Sequence, residues 1–341
     1  MTIAYTGMPL DRCTNQRKNK RWLTREFMRE STLFCVINDE MSLFDHEQQT
    51  VLYLTRAELD ALSVGSCIYL GKGDVPFSSA HRKLSPQSEP VSVFAIDYKK
   101  LRFSTQEAIT ELGQWLPLRQ NTVNLSTSDA SIIALAKALT HWHTTHQFCG
   151  KCGNSCQLIE AGHARRCTHC RNLSFPRTDP AVIMLIERVD EEGVPRCLLG
   201  RQASWKQGMY STLAGFVDPG ETLEAAVIRE VGEETSIVIE NPQYITSQPW
   251  PFPASIMLGF TAVAISKDID ISQDDLEDAQ WFSREQLQAF SKPLDNHNKP
   301  IDSNSAEAIS THDKKVYSKG SSDSISSYLI NAWLNKEIGQ F

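Results

Sequence analysis

The chain has 341 residues, a formal net charge of -7 and 41% hydrophobic residues, so it can bury the cores of two or three domains. Its acidic balance argues against a protein whose main task is gripping nucleic acid, which needs a basic footprint. No apolar run reaches the length of a membrane span, and the first thirty residues lack the apolar core of a signal peptide, so a cytoplasmic protein without membrane contact is expected.

Residues 1 to about 30 are polar, with Trp22 and Phe27 as anchors. Short apolar strands are then predicted at 33–37, 51–54, 67–70 and 91–98, separated by turn residues such as Gly71, Gly73 and Pro76. This β-rich domain is closed by helices at 104–116 and 128–146. The second starts at a Ser128/Asp129 cap and carries the apolar stripe Ile132, Leu135, Ala136 and Leu139. His141, His143 and His146 follow on that helix, but the first and last do not share a face, which favours packing over metal binding. With no acidic cluster, this third of the chain reads as a structural or dimer-forming domain.

Five of the nine cysteines fall within one short stretch, which in this setting suggests metal rather than disulfides. Cys149-x2-Cys152 and Cys167-x2-Cys170 have the spacing of two zinc knuckles, and four thiolates close a tetrahedral Zn2+ site with no position left for substrate. The zinc is therefore expected to be structural, with Cys156, His163 and His169 as spare donors. Lys151, Arg165, Arg166, Arg171 and Arg177 crowd the same stretch and serve either solubility or attraction of a polyphosphate or an RNA end.

A hairpin is predicted next, 181–187 with 196–201 about the turn 190–193. It leads into the stretch Gly215–Ile237, where a turn at Asp218-Pro219-Gly220 feeds a helix capped by Thr222. On this helix Glu230, Glu233 and Glu234 stand at i, i+3 and i+4 and share one face. Three carboxylates so close repel one another unless a divalent cation neutralises them, and hard oxygen donors suit Mg2+ or Mn2+. Arg229 beside them reads as a brace making charge-assisted bonds.

Further on, Ser247-Gln248-Pro249-Trp250-Pro251-Phe252-Pro253-Ala254-Ser255 has prolines at alternate positions. They are expected to hold an extended strap that offers Trp250 and Phe252 to a flat ring. A strand at 256–265 and an acidic patch (Asp274, Asp275, Glu277, Asp278) follow. A polar stretch at 292–322 reads as a mobile loop, and the chain closes with an amphipathic helix from Ser324 to about Glu337 carrying Ile325, Leu329 and Trp333 on one face.

The stretch from Gly215 resembles the Nudix box, G-x5-E-x7-R-E-U-x-E-E-x-G-U, at every fixed position but one: Ser236 replaces a Gly that commonly ends the helix in a left-handed conformation. Box, ribbon and strap together resemble the NADH pyrophosphatase branch of the Nudix hydrolases. The resemblance implies an α/β (α+β) architecture in three parts: a degenerate Nudix-like N-terminal domain (1–145), a zinc ribbon (146–176) and a catalytic Nudix domain (177–341) whose mixed sheet is sandwiched by helices.

It also implies a homodimeric enzyme that hydrolyses the diphosphate of NAD(H) to NMN(H) and AMP with Mg2+ or Mn2+, some members also removing NAD caps from the 5′ end of RNA. Glu230 and Glu234 are then metal ligands with the backbone carbonyl of Ala214, and Glu233 is a ligand or the base that activates water. The family's distal Glu falls on Asp275, with Glu277 as fallback. Phe175, the strap (Gln248, Pro249, Trp250, Pro251, Phe252, Pro253, Ala254, Ser255) and Ser326 line the dinucleotide site. Rival readings are a Nudix hydrolase of another nucleoside diphosphate derivative such as ADP-ribose, and a nucleotide-sensing regulator without turnover.

Overall fold

The computed structural model describes residues 3–46, 50–59, 62–73, 90–273, 275–290 and 317–341. Contacts divide the chain into two units: residues 4–178 with 249–254, and Ile3 with 179–248 and 255–341.

In the first unit the strands are β1 (Leu10–Asp11), β2 (Leu33–Asn38), β3 (Met41–Phe44), β4 (Leu54–Thr55), β5 (Ile68–Gly73), β6 (Val91–Asp97) and β7 (Gln114–Pro117). They form one sheet in the order β1-β5-β6-β2-β3-β7, with β4 paired to β2. The helices are α1 (Lys20–Met28), α2 (Phe103–Thr110), α3 (Leu118–Asn121) and α4 (Thr127–Thr145). Side-chain alternation along β2 sends Leu33, Cys35 and Ile37 to the face covered by Ile132, Ile133, Ala136 and Leu139 of α4. Phe34 and Val36 go to the other face, against Leu23 and Phe27 of α1.

Three details differ from the expectation. Helix α4 is capped by Ser126, whose hydroxyl accepts the Asp129 backbone N–H, because the Asp129 carboxylate is taken by the Tyr53 hydroxyl inside the unit. The predicted helix at 104–116 stops at Thr110 and gives way to β7, which completes the sheet beside β3. Strand β3 was not predicted; it pairs back on β2 through the two-residue turn Asp39-Glu40.

The same unit carries a small sheet of β8 (Cys156–Ile159), β9 (Ala164–Cys167) and β10 (Leu173–Ser174), in the order β10-β9-β8.

The second unit comprises β11 (Asp179–Val189), β12 (Pro195–Gln202), β13 (Met209–Tyr210), β14 (Leu213–Phe216), α5 (Leu223–Thr235), β15 (Ile239–Trp250), β16 (Ser255–Ala264), β17 (Leu276–Ser283), α6 (Arg284–Gln288), β18 (Ser318–Lys319) and α7 (Ile325–Leu334). Its sheet runs β15-β16-β11-β12-β17, with β14 on β11. Val182, Met184 and Ile186 of β11 pack with Ala226, Val227 and Val231 of α5. Ile183 and Leu185 face the other way, towards Ile325, Leu329 and Trp333 of α7. The sheet is thus held between two helices. Of the polar stretch expected at 292–322, residues 292–316 lie outside the described residues, while β18 pairs in parallel with β13.

The two large sheets share one connectivity. In each, a long strand (β2 or β11) pairs antiparallel with the next (β3 or β12), antiparallel with a short one (β4 or β14) and parallel with a later one (β6 or β16). The last strand (β7 or β17) then pairs with the second, and a helix (α4 or α7) covers one face. Where the second unit inserts α5 after the short strand, the first has 3-10 turns at Arg56–Glu58 and Val64–Ser66. Among the described residues, the repeat has at that point no α-helix on which an acidic face could stand.

Among the described residues no helix is long and apolar enough to cross a membrane.

Candidate active site and zinc centre

Helix α5 begins where the sequence places it: the Thr222 hydroxyl accepts the Ala225 backbone N–H. It ends at Ser236 in the left-handed conformation (φ 59°, ψ 12°), whose N–H donates to the Gly232 carbonyl. The helix exit of the Gly-containing pattern is kept with a serine in it, at a conformational cost of about 1 kcal/mol.

Arg229 organises the acidic face. Its Nε and one terminal nitrogen donate to the two oxygens of Glu221 at 2.9 and 3.0 Å, and that same terminal nitrogen reaches the Phe216 carbonyl at 2.8 Å. The other terminal nitrogen donates to Glu230 and Glu233, each at 2.9 Å. Glu221 also accepts the Asp218 backbone N–H, so the turn, the strand end and the helix are tied through one guanidinium. The bonds from Arg229 and Asp218 hold the Glu221 carboxyl below its usual range. Glu230 is raised, first by burial, despite the bonds from Arg229. Its side chain is 14% exposed, whereas that of Glu233 is 61% exposed.

Gly215 explains how Glu230 reaches its place. A Cβ there would lie 1.8 Å from the Glu230 carboxyl carbon and 2.0 and 2.2 Å from its oxygens, so the carboxylate rests against bare backbone one residue from Ala214. A half-buried carboxylate of raised proton affinity, beside like charges and a strand-end carbonyl, is a hard-oxygen donor set suited to Mg2+ or Mn2+. The role of Glu221 was not read from the sequence, although its fixed distance from Arg229 in the box was the available signal.

Asp275 is exposed ahead of β17 and makes no hydrogen bond or ion pair with the Glu face among the described residues. Its fallback Glu277 is spent on an ion pair with Arg201. Asp278 accepts from the Tyr210 hydroxyl and the Gln280 amide. Asp274 lies outside the described residues.

Gln248 is fully buried: its amide donates to the Asp323 carbonyl and accepts the Ile325 N–H, so it fastens the start of α7. Ser326 is also buried, its hydroxyl accepting the Thr212 N–H just before β14 and bonded to the hydroxyls of Ser211 and Thr212.

The strap is not extended throughout. Trp250 ends β15 and residues 251–254 turn, with the Phe252 N–H donating to the Trp250 carbonyl at 2.7 Å, because the chain must reverse into β16. Trp250 and Phe252 are half-buried and pack edge-on with each other and with Tyr5. Arg119 lies over Trp250 at 5.2 Å and Lys137 over Phe252 at 5.0 Å. Lys137 also donates to the buried Pro251 carbonyl and pairs with Glu40. Pro249 and Pro253 are exposed, Ala254 and Ser255 half-exposed, and Phe175 stands 54% exposed after β10.

The sulfurs of Cys149, Cys152, Cys167 and Cys170 all lie within 4.8 Å of one another, with the pairs 149–170, 152–167 and 152–170 at 3.7, 3.5 and 3.4 Å. A tetrahedral zinc with Zn–S of about 2.3 Å sets sulfurs about 3.8 Å apart, so the quartet fits the ion. The Asn154 backbone N–H, and after it the Asn154 side-chain amide and Cys170, bring the Cys152 thiol down to about 6. Cys170, despite a backbone bond from Asn172, is pushed up to about 12 by its bond with Cys152. Such sharing of protons is resolved when a cation takes all four as thiolates.

Two histidines near the ribbon are otherwise engaged, while His169 is exposed. His143 Nε2 donates to the Gly162 carbonyl at 2.7 Å while its Nδ1 accepts from Arg165, and His163 Nε2 donates to the Tyr69 carbonyl at 2.6 Å. Burial lowers both imidazoles to about 4.

A mixed sheet between helices, with an arginine-braced acidic helix set on a glycine, defines a Nudix hydrolase domain. The NUDIX domain family matches residues 177–303, and the NADH pyrophosphatase zinc ribbon domain matches residues 144–175. The NAD-capped RNA hydrolase NUDT12 of Macaca fascicularis is 42% identical over 173 residues, 48% of this chain and 37% of that protein. Nudix hydrolase 19, chloroplastic, of Arabidopsis thaliana is 41% identical over 196 residues, 55% of this chain and 43% of that protein. The chain therefore spans less than half the length of these two relatives. The NAD-capped RNA hydrolase NudC of Pseudomonas aeruginosa (strain LESB58) is 37% identical over 220 residues, 64% of this chain and 74% of that protein. The chain belongs to the Nudix hydrolase family, in the branch that carries the NADH pyrophosphatase zinc ribbon.

Proposed function

We propose that the protein hydrolyses the diphosphate of NAD(H) with Mg2+ or Mn2+, giving NMN(H) and AMP, and removes NAD caps from RNA. The observation that carries this reading is the intact acidic face, with Glu230 seated on Gly215 and Glu221, Glu230 and Glu233 drawn together by Arg229, in a chain that also carries the ribbon. A nucleotide sensor without turnover has no use for such a set.

Glu230, Glu234 and the Ala214 carbonyl hold the cation in this reading, with Asp275 as the distal carboxylate. A divalent cation bound there would acidify a water and neutralise phosphate charge. Glu233, the most exposed of the carboxylates bonded to Arg229, accepts the proton of the attacking water as its oxygen joins phosphorus and the bridging P–O bond breaks. Arg229 keeps Glu230 and Glu233 in register. Phe175 and the strap from Pro249 to Ser255 contact the dinucleotide. The reading includes a division at 1–145, 146–176 and 177–341, a homodimer and a cytoplasmic setting.

The test is product analysis with Mg2+ on NADH, NAD+, ADP-ribose and NAD-capped RNA supplied side by side. NMN or NMNH together with AMP is expected from the dinucleotides. Cleavage of ADP-ribose alone, or of nothing, refutes the reading.

A further inference from the structure

Across the ribbon sheet, directly paired residues of antiparallel strands point to the same side, and side chains alternate along each strand. Cys156 pairs with Cys167 and Gln157 with Arg166, while Thr168 donates its backbone N–H to the Ser155 carbonyl. Arg166 pairs in turn with Leu173, and a further bridge joins Phe148 to Ser155. Two rows therefore share one face: Phe148, Ser155 and Thr168 in the first, Gln157, Arg166 and Leu173 in the second.

Burial agrees with this register. Phe148, Ser155, Gln157, Thr168 and Leu173 are exposed and Arg166 half-exposed, whereas Cys156, Arg165 and Cys167 of the other face are buried. Phe148 is 69% exposed, which for a large ring on a sheet so small has no explanation in the packing of the ribbon. Phe175, two residues beyond Leu173, continues the alternation at the far edge.

Charge points the same way. Residues 144–178 hold five basic side chains against the single acid Glu160, in a chain of net charge -7. Lys151, Arg171 and Arg177 are exposed and Arg166 half-exposed, leaving only Arg165 buried. Aromatic rings at both ends of an open sheet, hydroxyl and amide groups between them and a basic surround make a stacking platform for an unpaired polyanion.

We infer that this face of the zinc ribbon binds the single-stranded RNA that follows the cap. The inference rests on the reading of NAD-capped RNA as substrate, which places Phe175 at the dinucleotide. The strand then runs diagonally from Phe175 towards Phe148, across three strand spacings and two side-chain rows or about 20 Å, with bases stacking on the rings and Arg166 near the backbone.

The test uses the full chain loaded with zinc and a fluorescein-labelled, uncapped, unstructured ten-nucleotide RNA, with affinity read by anisotropy. Phe148→Ala is expected to weaken binding about five- to hundredfold, and Arg166→Gln to lower the salt dependence by about one unit of slope. Both should retain zinc and hydrolyse NAD+ within about twofold of the parent, since neither touches the acidic face. If one variant loses zinc, the other decides.

Wild-type RNA affinity in both variants overturns the inference, as does failure of the parent to bind the RNA at micromolar concentration. A change of sedimentation in either variant overturns it in favour of a protein interface. Absence of NAD+ hydrolysis by the parent, with RNA binding weakened as expected, refutes the catalytic reading and leaves the platform standing.

Discussion

Gly215→Ala isolates the geometry of the acidic face from its chemistry. The added methyl would sit 1.8 Å from the Glu230 carboxyl carbon, while non-bonded carbons settle at about 3.5 Å or more, so the carboxylate must retreat by about 1.7 Å or more. It has little room, being 14% exposed and held by Arg229. Because the obstacle is the end of a flexible side chain, the fold should survive with a loss of about 1 to 3 kcal/mol. A misplacement of about 1 Å in a site of this kind costs of the order of a hundredfold in rate.

Turnover of NAD+ is measured against Mg2+ and Mn2+ concentration, alongside thermal melting. The expected result is a rate about a hundredfold lower, half-activation at higher metal concentration, and a melting point down by a few degrees. Gly232→Ala is the control: a Cβ there meets nothing within 4 Å, so it should leave the rate unchanged and stabilise the helix by about 0.5 to 1 kcal/mol. Parental rate and metal dependence in Gly215→Ala would refute the placement of Glu230 as a ligand.

Glu233→Gln should slow turnover by about 100- to 10,000-fold with the melting point kept, since the amide cannot take a proton from water; persistence of the defect at saturating Mn2+ identifies a base, and rescue a ligand. Cys167→Ser should release zinc, detected by elemental analysis, and lower the stability of the unit that contains the ribbon. His143 and His163 titrate near 4 in the folded protein against 6.5 ordinarily. Above pH 6.5 both states are neutral and nothing is lost. Between pH 6.5 and 4 the unfolded chain takes up protons the folded one refuses, so stability falls by up to about 3 kcal/mol per histidine. Melting curves from pH 7.5 to 4.5 should fall steeply for the parent and less so for His163→Gln.

Features set by local spacing could be read from the sequence. The intervals among Gly215, Glu221, Arg229 and the three glutamates are covalent, as are those of the two Cys pairs, and both constellations sit on the predicted elements. Features that depend on which segments meet could not. The partners of Gln248 and Ser326, at the start of α7 and just before β14, lie about 75 or more residues away and have no local signal. Strand β3 is short and its Asp39-Glu40 turn has no glycine, so nothing local marks it. Asp129 was misplaced by three residues as a cap because its partner Tyr53 is far away in sequence.

The seat of the strap bears on how this protein can be cut. Residues 249–254 belong with residues 4–178, although the strands on either side of them belong to the other unit. A fragment starting at Asp179 would keep α5 and every carboxylate of the box, yet it would lack Tyr5, Arg119 and Lys137. Trp250 and Phe252 would then stand bare in water as an adhesive knob. Catalysis and solubility are therefore not separable at a single peptide bond, and an isolated C-terminal piece needs polar replacements at both rings before it can be handled.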